Sequence, residues 1–177
     1  MADFGKTTDG ASETCSSTDR KKVSLGTATT AGTISSITFR SRVTAQSGSV
    51  IGVMYSNSIG TPGAIFSQSD PVVISSTTEI ASTLSFTGTN IKTIAANDIY
   101  WIGFHQQDPG TASHCISRAN TGSQSSTNTD VYSDGPASPF GAPTLEAGPI
   151  DCYVTYNETT GWAVSFFGYK SLTGVGL

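Results

Sequence analysis

Residues 33–63, TISSITFRSRVTAQSGSVIGVMYSNSIGTPG, decide the fold. Within 33–44, Ile37, Phe39 and Val43 fall on one side of an extended chain and Arg40 and Arg42 on the other, the period of two that marks a half-buried strand. Residues 49–56 form a nearly unbroken apolar run, suited to a strand deep in a sandwich. Residues 57–63 then supply turn chemistry, because Gly60 and Gly63 tolerate positive φ and Pro62 fixes its own.

The same grammar extends in both directions. Val23 and Leu25 begin a period-two pattern, and residues 64–67, 72–75, 79–87, 98–105, 114–118 and 151–156 read as further strands, each bounded by Gly, Pro, Asn or Asp. Apolar residues never recur at helical spacing over three capped turns, so no core helix is expected. Many short strands separated by turn signals predict an all-β fold, an antiparallel β-sandwich of jelly-roll-like form. Residues 119–128, polar and rich in Gly, Ser and Thr, read as a long exposed loop. Residues 132–143 carry Pro136, Pro139 and Pro143 around Phe140, which predicts a loop pinned by an inserted aromatic.

After Tyr156 the character changes. A polar hinge, 157–161, leads to an apolar tail containing Trp162, Val164, Phe166, Phe167, Tyr169 and Leu172. The organisation expected is a sandwich over 1–157, with 158–177 as either a last strand or an arm to a neighbouring subunit, since apolar density at a terminus needs a surface to cover it.

A chain of 177 residues buries a sizeable core as one domain. Only 12% of residues are charged, net charge is −4 and the one basic cluster is Arg20, Lys21 and Lys22. Duplex binding needs many cations to displace phosphate counterions, so nucleic acid and acidic membrane surfaces are not expected partners. The N-terminus lacks the apolar core of a secretory signal, and no run reaches membrane-spanning length. Cys15, Cys115 and Cys152 are odd in number and far apart, which fits neither a disulfide framework nor a zinc pattern. At most one pair bridges, and separate reduced thiols are the expected state.

Catalytic and metal chemistry find little to build on. His105 and His114 flank a short segment and, with Asp108, suggest a metal site or acid–base pair, but neither histidine sits in a ligand motif. No Gly-x-Ser-x-Gly elbow occurs. Asp130, Asp134 and Asp151 offer calcium-type oxygens without calcium-loop spacing, so they read as turn formers. No cofactor is expected. Carbohydrate binding is the ligand class that composition favours, because sugars stack on aromatic faces while short polar side chains bond their hydroxyls. Trp101 lies in a core-type run, leaving Trp162 and Tyr132 as candidate stacking platforms. Asn157-Glu158-Thr159 matches a glycosylation acceptor, read as a chance occurrence.

Several segments resemble a β-sandwich domain that recurs in uncharacterised phage structural and bacterial surface proteins. They are Phe4-Gly5-Lys6-Thr7-Thr8, Asp19-Arg20-Lys21, Tyr55-Ser56-Asn57 with Thr61-Pro62-Gly63-Ala64, Tyr100-Trp101-Ile102-Gly103-Phe104-His105, and Tyr132-Ser133-Asp134-Gly135-Pro136 with Pro139-Phe140-Gly141. The resemblance covers roughly residues 4–156 and implies a fold and a setting, with no catalytic residues to carry over. The expectation is a non-enzymatic virion protein, for capsid decoration or tail association. It would form a homo-oligomer and contact other virion proteins. The alternative is a carbohydrate-binding adhesion module at an extracellular or cell surface.

Overall fold

The computed structural model describes residues 1–159 apart from positions 109, 111 and 123. In chain order the strands are β1 (Ala2–Gly5), β2 (Ser12–Ser16), β3 (Arg20–Thr27), β4 (Gly32–Val43), β5 (Gly48–Ser58), β6 (Thr61–Gln68) and β7 (Val72–Ile74). They continue as β8 (Ile80–Ser85), β9 (Thr93–Ile94), β10 (Ile99–Gln106), β11 (His114–Arg118), β12 (Ser125–Thr129), β13 (Thr144–Glu146) and β14 (Cys152–Glu158). The only helical pieces among the described residues are two 3-10 turns, at Gly88–Asn90 and Tyr132–Asp134.

Two antiparallel sheets result. In the first, the long strand β4 is central: β14 and β11 share one of its edges end to end, β8 and β9 the other, and β1 and β2 lie outside β14 and β11. In the second the order is β13-β12-β3-β10-β5, with β6 and β7 sharing the far edge of β5. The chain crosses between sheets at most connections, the wiring of a jelly-roll-like sandwich.

The main core lies between the sheets, where Ile37, Phe39, Val43, Val154 and Tyr156 meet Val50, Met54, Ile102 and Phe104. The alternation read in β4 holds: Ile37, Phe39 and Val43 are fully buried while Arg40 and Arg42 stay half-exposed. Ser35 is the extra residue of a bulge opposite Thr155 and Tyr156, so Ile34 and Ile37, three apart, both point inward. Gly52 marks a close approach of the sheets, since a Cβ there would sit 2.3 Å from Ile37 Cγ2.

The apolar run in β5 has a second cause. Ile51, Val53 and Tyr55 face outward, yet they are buried with Val23, Trp101 and Phe140 in a second cluster on the outer face of the second sheet. The segment after β12 folds over that face and inserts Phe140, as the isolated aromatic among prolines predicts. β5 is thus covered on both sides, which removes the polar half of the alternation.

Two sequence expectations need correction. Residues 119–128 do not form one exposed loop: Ser125–Thr129 is β12, paired with both β3 and β13, and Ser125 and Ser126 are fully buried. Small hydroxyl side chains there give no apolar pattern to read. Asn157 and Glu158, read as the start of a polar hinge, belong to β14 and pair with Thr33 and Gly32. The apolar tail from Trp162 onward lies outside the described residues.

The β5–β6 hairpin turns at Ile59 and Gly60, with φ of 50° and 81°. A β-branched residue in the left-handed region crowds its Cβ against the carbonyl, and Ile59 is fully exposed, so no packing offsets the strain. Ile59→Asn is expected to stabilise the protein by about 1 kcal/mol. A rise in the urea midpoint with unchanged slope is the readout, and a lower midpoint would refute it.

Candidate functional site

The basic cluster Arg20-Lys21-Lys22 does not form a surface patch. Because successive strand residues face opposite ways, Lys21 joins the outer cluster of the second sheet, while Lys22 pairs across from Phe104 on the inner face. Both lysines are buried, at 0% and 2% exposure. Lys22 Nζ lies 2.6 Å from Glu146 Oε2, an oxygen that also accepts from Arg118. Burial holds the Lys22 ammonium below its usual range, and the Glu146 hydrogen bond partly restores it.

Lys21 sits in an aromatic box. Its Nζ is 2.9 Å from Asp130 Oδ2, donates to Phe140 O at 2.8 Å and lies 4.7 Å from the Phe140 ring centroid. Asp130 Oδ2 also accepts from Ala137 N at 2.8 Å, so one carboxylate ties the buried cation to the overlying loop. His105 is beside it, with Nε2 3.2 Å from Asp130 O and 3.9 Å from Asp130 Oδ2. Tyr132 covers His105 at 5.1 Å between ring centroids, and Asp19 Oδ2 accepts from Tyr132 N at 2.9 Å. The chemistry of this cluster is that of an anchor, which holds the loop of Phe140 on the sheet through paired charge and ring contacts.

The two histidines are not partners. His105 is on β10 of the second sheet and faces the overlying loop; His114 is on β11 of the first, beside Phe104 at 6.0 Å. Asp108 instead receives a backbone hydrogen bond from neither, its own N donating to Asp19. Burial lowers the pKa of both imidazoles, that of His114 to about 4, and neither His114 nitrogen makes a hydrogen bond among the described residues. Because the unfolded imidazole titrates near 6.5, the unfolded chain binds more protons between these values. The His114 contribution therefore makes stability fall as pH drops from about 6.5 to about 4, by about 3 kcal/mol in all, and is itself complete below that range. Comparing urea unfolding at neutral and acid pH, His114→Leu should lose less than the wild type; an equal loss would remove His114 as the cause.

The acidic candidates are also dispersed. Asp130 holds Lys21, Asp151 Oδ1 lies 2.6 Å from Lys6 Nζ while Oδ2 accepts from Gly10 N, and Asp134 is exposed in a 3-10 turn. Asp130 and Asp151 are thus loop anchors, while Asp134 sits in a turn as read. The one group with metal-ligand proximity among the described residues is Glu13, Cys15 and Cys115, and its sulfurs are joined to each other. Here the expectation of separate thiols fails: the β2–β11 register sets Cys15 directly opposite Cys115, and the pair is a disulfide. Cys152 is free and buried, with its thiol pKa pushed well up by burial.

Of the sequence-named platforms, Tyr132 is half-buried against His105, and Trp162 falls outside the described residues with the rest of the tail. Trp101 is fully buried, as read, but under the loop of Phe140 instead of between the sheets.

An open cleft of about 500 Å³ lies where β5 ends and β10 begins. Phe66 and Tyr100, 4.8 Å between centroids, give it an aromatic wall. Its exposed polar lining includes Asn57, Asn97 and Asp98. Tyr100 OH donates to Asp98 Oδ2 at 3.1 Å, and burial pushes its pKa up to about 12, so the phenol stays neutral. Sequence reasoning missed this site because its residues come from three separated segments.

Two facing antiparallel sheets, one sealed on its outer side by a loop, define the protein as a jelly-roll-like β-sandwich. Comparison with known protein families, curated proteins and solved structures finds no match. No helix among the described residues is long and apolar enough to cross a membrane.

Proposed function

We propose that the protein is a non-enzymatic structural part of a phage virion, a decoration or tail-associated module that works by protein–protein contact and self-association. The observation that carries this reading is long-range cross-bracing. Lys6–Asp151, Lys21–Asp130 and Lys22–Glu146 each join residues more than a hundred positions apart, and Cys15–Cys115 adds a covalent tie. A shell part must transmit load through a rigid body, and a disulfide suits a particle that persists in an oxidising medium. The apolar residues from Trp162 to Leu172 supply the attachment surface in this reading. Light scattering tests it: the full chain should be oligomeric, and a chain lacking 162–177 should be monomeric with an unchanged unfolding midpoint. A truncated chain that still self-associates would overturn the arm.

The cleft beside Tyr100 favours a second reading, a carbohydrate-binding adhesion module. Aromatic wall and short polar rim are the two ingredients of a sugar site.

A further inference from the structure

Resting on that second reading, we infer that the cleft between β5 and β10 binds a neutral saccharide, with Asp98 accepting from sugar hydroxyls and Asn57 donating to them. The side chains are held in position before any ligand arrives. Trp101 Nε1 donates to Asn57 Oδ1 at 3.1 Å, which fixes the amide and leaves its two Nδ2 hydrogens to donate. Tyr100 OH holds Asp98 Oδ2, leaving Oδ1 as an acceptor. A fixed acceptor beside the Phe66 ring and a fixed donor at the rim of the cleft match the alternating hydroxyls and apolar C–H faces of a pyranose ring.

The backbone of the cleft is braced as well. Asp98 O accepts from Ala28 N at 3.0 Å, and Asn97 N donates back to Ala28 O at 2.7 Å. Asn97, one of the two non-glycine residues at positive φ among the described residues, lies in the cleft lining. Backbone held in sparsely populated regions concentrates at ligand sites. Charge selects the ligand class. Among the described residues Asp98 is the one charged group in the lining, so a carboxylated or sulfated sugar would meet repulsion there.

The test uses the full chain on an array of neutral hexose and N-acetylhexosamine oligosaccharides printed beside sialylated and sulfated ones. Neutral glycans should bind, and Asp98→Asn and Asn57→Ala should each weaken that binding by about tenfold or more. Asp98→Asn retains an acceptor for Tyr100, so its melting midpoint should match the wild type while affinity falls. Neutral binding that survives both cleft substitutions, or that Trp162→Ala abolishes, would overturn this site and leave the carbohydrate reading standing. Binding confined to acidic glycans would overturn the ligand class. No binding to any glycan would overturn both the site and the reading beneath it.

Discussion

Asp130→Ala should lower the free energy of unfolding by about 3–5 kcal/mol, a large fraction of the stability of a domain this size. Lys21 is fully buried, and Asp130 Oδ2 at 2.9 Å is the one anionic partner of its ammonium among the described residues. Removing the carboxylate leaves the charge in an aromatic box with only Phe140 O as a strong acceptor, and it also strips Ala137 N of its acceptor. The reverse change, Lys21→Met, should cost less, because Asp130 retains 15% side-chain exposure and water reaches it. The double variant Lys21→Met with Asp130→Ala should be more stable than Asp130→Ala alone, since no unpaired buried charge remains. Urea unfolding of the three proteins gives the comparison. A cost below about 1 kcal/mol for Asp130→Ala would mean the pair is solvated and the anchor does not exist.

Reducing the disulfide should be comparably damaging. Cys15 and Cys115 are 100 positions apart, and closing a loop of that length restricts the unfolded chain by about 4–5 kcal/mol in the chain-entropy treatment. Reduction should also loosen the structure locally before it unfolds globally: β2 is an edge strand, paired on one side with β11 and tied to it through Cys15. Amide exchange in Ser12–Ser16 should accelerate first under reductant, followed by a fall in the unfolding midpoint. Thiol titration in denaturant checks the premise, with one reactive thiol, Cys152, before reduction and three after. Three thiols at the outset would remove the bridge.

What the sequence revealed and what it concealed follow from the same physics. β4 was legible because one face is dry and the other wet, and β5 because both its faces are dry. Phe140 announced itself as a lone aromatic among turn formers, and it is the plug that seals the outer face. β12 was invisible because Ser-Ser-Thr-Asn-Thr has no apolar period; its place is set by backbone pairing and by hydroxyls small enough to be buried. The basic cluster at 20–22 is split because a strand turns neighbours to opposite faces, and the carboxylate partners of Lys21 and Lys22 lie over a hundred positions downstream. The disulfide was hidden for a related reason, since it depends on the register of β2 against β11 and on nothing local.

The pairing of β1 with β14, Ala2 opposite Tyr156, bears on how the chain is made. β1 must wait for β14, which is synthesised long after it, and β3 emerges with two lysines whose partners are still untranslated. Local hairpins such as β5–β6 close early, but the first sheet is not complete until β14 has been synthesised. Folding is therefore committed late and all at once, so a chain interrupted before residue 152 would carry an open sheet edge and unmatched buried charge and would be marked for degradation or aggregation.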